Sequence, residues 1–176
     1  GASQTAAAVR AAAKINGPVY LRLHKARKSI ANTAVEKNLE FGKGQLLRDG
    51  DDAVIFACGY MVAEALLAAE TLYLSGINVT VANMHTIKPF DSEFVLTQSI
   101  RTGVVLSAEN HSVIGGLGSA VAEVLAERPA GVDIEFKRIG ISDTFAEGGT
   151  TAYLFDKYGL SARHIVAAVH DLLERR

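Results

Sequence analysis

The feature that most constrains this chain is an alternation of segment types between residues 53 and 173. Apolar runs at residues 53–58, 77–81, 104–106 and 132–139 are each followed by a stretch with helical spacing. In residues 61–75, Met61, Val62, Ala65, Leu66, Ala69, Leu72 and Tyr73 fall on one helical stripe, and Gly76 suits the stop. Pro89 marks a turn, and Asp91 is an N-cap for a helix through Ile100. Residues 109–116 form a glycine-rich loop, and residues 118–127 and 150–158 are helical. Ser161 caps a last helix carrying Ile165, Val166, Val169, Leu172 and Leu173. Strands that alternate with helices predict a three-layer α/β/α sandwich with a mostly parallel sheet. Such sheets hold ligands and partners at the carboxyl ends of their strands, so the loops after Cys58, Ala82, Ala108 and Ile139 matter most.

The first 50 residues break this pattern. Residues 4–16 read as an Ala-rich helix that Asn16-Gly17 stops and Pro18 keeps from restarting. Residues 19–23 have strand character. One helix and one strand are not a domain, because a lone strand has no sheet to join. They resemble the last α/β unit of something larger. Residues 24–38 are polar, basic and aperiodic, which fits a connector, and residues 39–48 hold a short strand before the turn at Asp49-Gly50-Asp51. The charge follows the same division. Residues 1–50 carry nine basic and three acidic side chains, and residues 51–176 carry nine and 16, so a net charge of −1 hides a basic front and an acidic body.

Several classes are excluded. With 49% apolar residues and 21% charged, wholesale disorder is not expected. No apolar run approaches the ~20 residues that cross a bilayer. One cysteine, Cys58, precludes an internal disulfide framework and suits a reducing cytoplasm. Gly1-Ala2-Ser3 is compatible with a cloning scar and is given no weight.

The richest candidate site is Glu109-Asn110-His111 with Gly115 and Gly116, between a strand and a helix. Its glycines would let backbone approach a ligand, and a helix start favours an anion. The spacing is not G-x-G-x-x-G, since Ser119-Ala120-Val121 follow Gly118, and a packing turn is the commoner outcome. Glu109 and His111 are an acid–base pair on paper, though such neighbours more often make a loop hydrogen bond. His164 and His170, six apart, are off the spacing of a helical zinc pair, so no metal site is expected. Gly50-Asp51 with Asn78 imitates a metal–diphosphate motif but precedes a strand where that motif follows one, so it is read as coincidence. The basic run Arg22, Lys25, Arg27 and Lys28 suits phosphate or plain solvent, and lacks the interleaved aromatics of a nucleic-acid surface. Cys58, inside an apolar run, is expected to be a buried, inert thiol.

The stretches GPVYLRLHK, FGKGQLLRDGDDAVIFACG, ALLAAETLYLSGINVTVANMHTIKPFD, VVLSAENHSVIGGLGSAVAEVL and YGLSARHIVAAVHDLL together resemble, in order, the C-terminal part of the transketolase family. Residues 86–91 (TIKPFD) and the Glu109–Gly118 stretch carry the most specific likeness. Beta components of 2-oxo acid dehydrogenases and deoxyxylulose-phosphate synthases share the layout. The resemblance implies residues 1–25 as the tail of a pyrimidine-binding domain, 26–38 as linker, and 39–176 as a C-terminal domain with a mixed, mostly parallel sheet. It further implies thiamine diphosphate and Mg²⁺, held upstream of this chain, and transfer of a two-carbon ketol unit between sugar phosphates. A cytoplasmic homodimer or heterotetramer would complete the enzyme, and this chain would be inactive alone. Lys25 stands where the family often has an arginine on substrate phosphate, keeping the charge without the bidentate fork. No catalytic residue is carried over, and Glu109, Asn110, His111, Gly115 and Gly116 become a candidate interface or site loop. The alternatives are a non-catalytic assembly or regulatory module and a 2-oxo acid dehydrogenase beta component.

Overall fold

An apolar run with no polar face must be covered on both sides, and residues 53–57 are such a run. The computed structural model describes residues 2–23 and 39–176. In chain order its elements are α1 (Ala2–Ala12), β1 (Gln45–Arg48), β2 (Ala53–Ala57), α2 (Met61–Leu74), β3 (Val79–Asn83), α3 (Ser92–Thr102), β4 (Val104–Ser112), α4 (Leu117–Ala126), β5 (Glu135–Ile141), α5 (Thr151–Lys157) and α6 (Ala162–Leu173). The strands form one sheet in the order β1-β3-β2-β4-β5. β2–β3, β2–β4 and β4–β5 are parallel, and β1 joins β3 antiparallel at the edge.

Alternate residues of the central strands feed two separate cores. Ala53, Ile55, Ala57, Val79, Val81, Val104 and Leu106 pack against α2 and α6. Val54, Phe56, Ala82 and Val105 pack against Val95 of α3 and Leu117, Val121 and Leu125 of α4. Two clusters on opposite faces of one mixed sheet make the expected three-layer sandwich. The helices on one face are also tied end to side, since Ala162 N–H at the start of α6 donates to Glu64 Oε2 of α2 at 2.7 Å.

Differences from the sequence expectation trace to pairing. β3 and β5 begin and end two or three residues later than their apolar runs, because the ladder with the neighbouring strand sets their limits: Ala53 pairs with Val79 and Ala57 with Asn83. Asn83 is buried there, its amide donating to Gln45 Oε1 at 3.2 Å. Residues 18–23 form no strand and belong to no sheet, and Tyr20 is 89% exposed. β4 runs on through Ser112 where a loop was expected from Glu109, since Ser112 pairs with Ile141 beyond an irregularity after Ala108. Tyr73 leaves the buried stripe of α2, lying beneath the Arg48 guanidinium at 5.1 Å, and Ala68 is buried instead. Ser161 precedes α6 without capping its backbone; its hydroxyl meets His164 Nδ1 at 2.8 Å.

Asp91 does cap α3, and more besides. Its carboxylate accepts from Phe94 N–H at 3.4 Å and from Gly44 N–H at 2.9 Å, with Lys43 Nζ at 3.7 Å. One buried carboxylate therefore fixes both the start of α3 and the approach to β1. Asp91→Ala is expected to cost about 2 kcal/mol in a urea unfolding titration, because a cap and a second buried N–H lose their acceptor together. A loss below about 0.5 kcal/mol would show that the carboxylate is not needed.

Candidate functional site

The sheet order reverses around β2: the chain steps from β2 out to β3, then returns to the other side of β2 as β4. In an open α/β sheet this reversal opens a crevice outside the carboxyl ends, between the loops that leave the two strands. Three of the four loops singled out from the sequence meet there. Tyr60 after β2, Asn110 in β4 and Ile141 of β5 line a hollow of about 210 Å³, closed by Thr151, Leu154 and Phe155 of α5 with Tyr158. Its wall is mostly apolar and has no basic side chain, so it does not suit a diphosphate. Among the described residues, no three His, Cys, Asp or Glu side chains are grouped to hold a metal ion.

Glu109 dominates the same edge. It is 2% exposed, and its two carboxylate oxygens accept from Leu117 N–H at 2.8 Å and Gly118 N–H at 2.7 Å. These are first-turn amides of α4, which have no partner within the helix. The carboxylate therefore sits where an external anion would bind, satisfying the helix start and its dipole from within the chain. The glycines serve that contact. A Cβ on Gly116 would lie inside the contact distance of Glu109 Oε2, so only glycine lets the carboxylate reach. Gly115 turns at φ +75° and donates its N–H to Ser119 Oγ at 2.9 Å.

The other sequence candidates separate. His111 is exposed, while Glu109 points inward to the amides, so the paper acid–base pair is not brought together. Asn110 is half-buried, and its carbonyl accepts from Arg22 Nη2 at 3.3 Å, 88 residues away in sequence. Lys25, Arg27, Lys28 and the whole connector lie outside the described residues. Gly50-Asp51 is at the opposite, amino edge of the sheet. Gly50 N–H donates to Thr80 Oγ1 at 3.0 Å, Thr80 donates back to Gly50 O, and Asp51 pairs with Arg101. Cys58 lies just past β2 and is half-buried. Burial first, and the Glu109 charge second, push its thiol up to about 12, with Arg22 pulling the other way. Sequence reasoning missed Tyr60 and Tyr158 as parts of this edge, though the flagging of the loop after Cys58 pointed toward the first; Arg22 was read as a cation for phosphate or solvent and instead bonds the Asn110 carbonyl.

A doubly wound sheet with its loops gathered at a switch point defines the class, and the sequence comparisons give the family. Residues 42–165 match the family model for the transketolase C-terminal domain, and the chain belongs to that family. It is 49% identical over 161 residues to the 6-deoxy-6-sulfo-D-fructose transketolase subunit SqwH of Clostridium sp. (strain MSTE9), covering 92% of this chain and 49% of that protein. It is 38% identical over 168 residues to a putative transketolase C-terminal section of Methanocaldococcus jannaschii, covering 95% of this chain and 52% of the other. A solved split-gene transketolase, described as an inactive beta4 tetramer, superposes with TM-score 0.88 at 44% identity, over 98% of this chain and 55% of that one. The chain thus spans about half the length of these relatives.

Two outcomes follow. Glu109→Ala strands two buried amides and is expected to lower stability by about 3 kcal/mol. Gly116→Ala pushes the same carboxylate away, so in a double-mutant cycle by denaturant unfolding the two losses should not add; full additivity would separate the two residues. Cys58 should react with iodoacetamide at pH 8 roughly 30-fold or more slowly than a free cysteine, since so little thiolate is present. Alkylation at the free-cysteine rate would contradict the raised pKa.

Proposed function

We propose that this chain is the C-terminal portion of a thiamine-diphosphate-dependent transketolase, transferring a two-carbon ketol unit between sugars and inactive without its cofactor-binding half. The observation that carries this reading is 49% identity to a named transketolase subunit across nearly the whole chain, with half of that subunit unmatched. On this reading residues 1–25 are the tail of the pyrimidine-binding domain, 26–38 the linker and 39–176 the C-terminal domain. Residues 18–23, exposed and in no sheet although their sequence favours a strand, support it. On this reading thiamine diphosphate and Mg²⁺ are held by the other half of the enzyme. The working assembly on this reading is a cytoplasmic homodimer or heterotetramer.

This chain's own contribution to substrate is Lys25, whose ammonium would meet a terminal anionic group of the sugar as a point charge. Phosphate is the first choice. The Clostridium relative is named for a sugar bearing a sulfonate at the corresponding end, which an ammonium serves equally well. Loop residues Glu109, Asn110, His111, Gly115 and Gly116 act in assembly and in shaping the domain edge, with no catalytic role.

The test is reconstitution. The isolated chain, supplied with thiamine diphosphate, Mg²⁺ and a ketose phosphate or its 6-sulfonate analogue, should show no ketol transfer, and addition of the cofactor-binding subunit should restore it. Lys25→Ala in the complex should raise KM for the anionic sugar about 10-fold with a smaller effect on kcat, and Lys25→Arg should recover phosphate binding. Turnover by the chain alone would refute its dependence on a partner. Decarboxylation of a 2-oxo acid in place of ketol transfer would reassign it to the dehydrogenases. Stable association without any turnover would make it an assembly module.

A further inference from the structure

Asn16-Gly17, the dipeptide that stops the first helix in sequence, carries chemistry that the fold and the proposed function leave unused. Backbone hydrogen bonding past α1 continues only to Ile15. Ala13 N–H donates to Val9 O at 3.0 Å, Lys14 N–H to Ala11 O at 3.1 Å and Ile15 N–H to Ala12 O at 3.1 Å. The next two residues are held by nothing. Asn16 and Gly17 are both exposed, and neither the Asn16 carboxamide nor the Gly17 N–H has a hydrogen-bond partner among the described residues. Gly17 sits at φ +131°, which residues with a Cβ rarely adopt. Apart from its chain neighbours, no atom lies within 4 Å of where its Cβ would stand.

A free carboxamide followed by an unhindered amide nitrogen is the arrangement for intramolecular ring closure, because that nitrogen can reach the side-chain carbonyl carbon. The other five asparagines differ at the residue that follows. Thr33, Leu39, Val79, Met84 and His111 each put a side chain where Gly17 has none. Two of the five are also held by the sheet. Val79 after Asn78 is buried in the ladder opposite Ala53. Asn83 is buried with its carboxamide on Gln45, and Met84 N–H donates to Ala57 O at 2.8 Å. An amide nitrogen that donates within a sheet is not free to attack its neighbour.

We infer that Asn16 is a site of spontaneous covalent modification, closing on Gly17 to a succinimide that opens to isoaspartate and aspartate. The Gly17 nitrogen gives its proton to hydroxide and bonds to Asn16 Cγ. The Cγ–Nδ2 bond breaks, and ammonia leaves with a proton taken from water, which restores the hydroxide. Water then adds to one of the two ring carbonyls. Opening at Cγ leaves aspartate, and opening at the Asn16 main-chain carbonyl leaves isoaspartate, with the main chain running through Cβ and Cγ. One water enters, one ammonia departs, and nothing is oxidised or reduced. Either product sets a carboxylate just past the negative end of the α1 dipole. Isoaspartate also lengthens the main chain by one carbon ahead of Arg22 and its bond to Asn110. The inference stands apart from the function proposed above, since it needs only this chain and water.

The experiment incubates the full chain at pH 8 in ¹⁸O-labelled water, then digests it with trypsin in ordinary water and weighs the peptide of residues 15–22. That peptide should gain about 3 Da, against about 1 Da after incubation in ordinary water, and should separate into isoaspartyl and aspartyl forms. Peptides holding Asn78, Asn83 and Asn110 should keep their mass over the same time. Asn16→Gln, which keeps the carboxamide but requires a six-membered ring, should stay unmodified. Gly17→Ala should slow the reaction at least about tenfold, since the added methyl hinders the approach. The folded chain should react at the rate of a free peptide of residues 13–20. A rate at least about tenfold below the peptide's would mean that the fold protects Asn16, and would overturn the inference. Aspartate formed without isoaspartate would overturn it too, since that is direct hydrolysis with no ring. So would Gly17→Ala reacting as fast as the wild type.

Discussion

The contact between the Glu109 carboxylate and the first turn of α4 is the interaction on which the carboxyl edge depends. A buried carboxylate is costly unless its oxygens are bonded, and a helix start is costly unless its amides are. Each cancels the other's cost over a separation of eight and nine residues. The geometry requires Gly116 to have no Cβ and Gly115 to turn at positive φ, which is why the loop is glycine-rich. It also explains why a loop that imitates a phosphate-binding turn does not act as one: the anion is built into the chain. Once α4 is fixed, its buried Leu117, Val121 and Leu125 complete the second core with α3.

The two edges of the sheet carry different kinds of interaction. At the amino edge Arg101 gathers Asp49, Asp51, Thr80 and Gln98, and Thr80 and Gly50 exchange hydrogen bonds, so the strands' starts are closed among themselves. At the carboxyl edge the hollow and the Arg22 link face outward. The hollow at this edge is mostly apolar and holds no basic side chain.

Much of the fold was legible because it is local. Apolar runs bounded by Gly59, Gly76 and Gly159 and capped helices such as that begun by Asp91 state their own type. What was not legible needed a partner distant in sequence. Residues 19–23 have every strand preference, but a preference makes no ladder without a neighbour. The ends of β3 and β5 were misplaced because pairing with β2 and β4, and not apolarity, sets them. Glu109 and His111 read as a pair by adjacency, yet the pleat and the helix start give the carboxylate to α4 and leave the imidazole on the surface. Arg22 could not have been assigned to Asn110 from any pattern. The family resemblance was legible throughout, since TIKPFD and the Glu109–Gly118 stretch survive as contiguous words.

The division of labour between the edges bears on how such a domain changes over evolutionary time. Substitutions at the sealed amino edge meet a closed set of charges and are filtered by stability. Residues 142–150 are exposed, and apart from the contacts that Glu147 and Thr150 make with α5 and Tyr158, substitutions there meet fewer constraints of stability. A domain arranged in this way can be inherited by enzymes that differ in substrate, or carried on a separate gene, with its interior conserved and its outer face revised to suit each new companion.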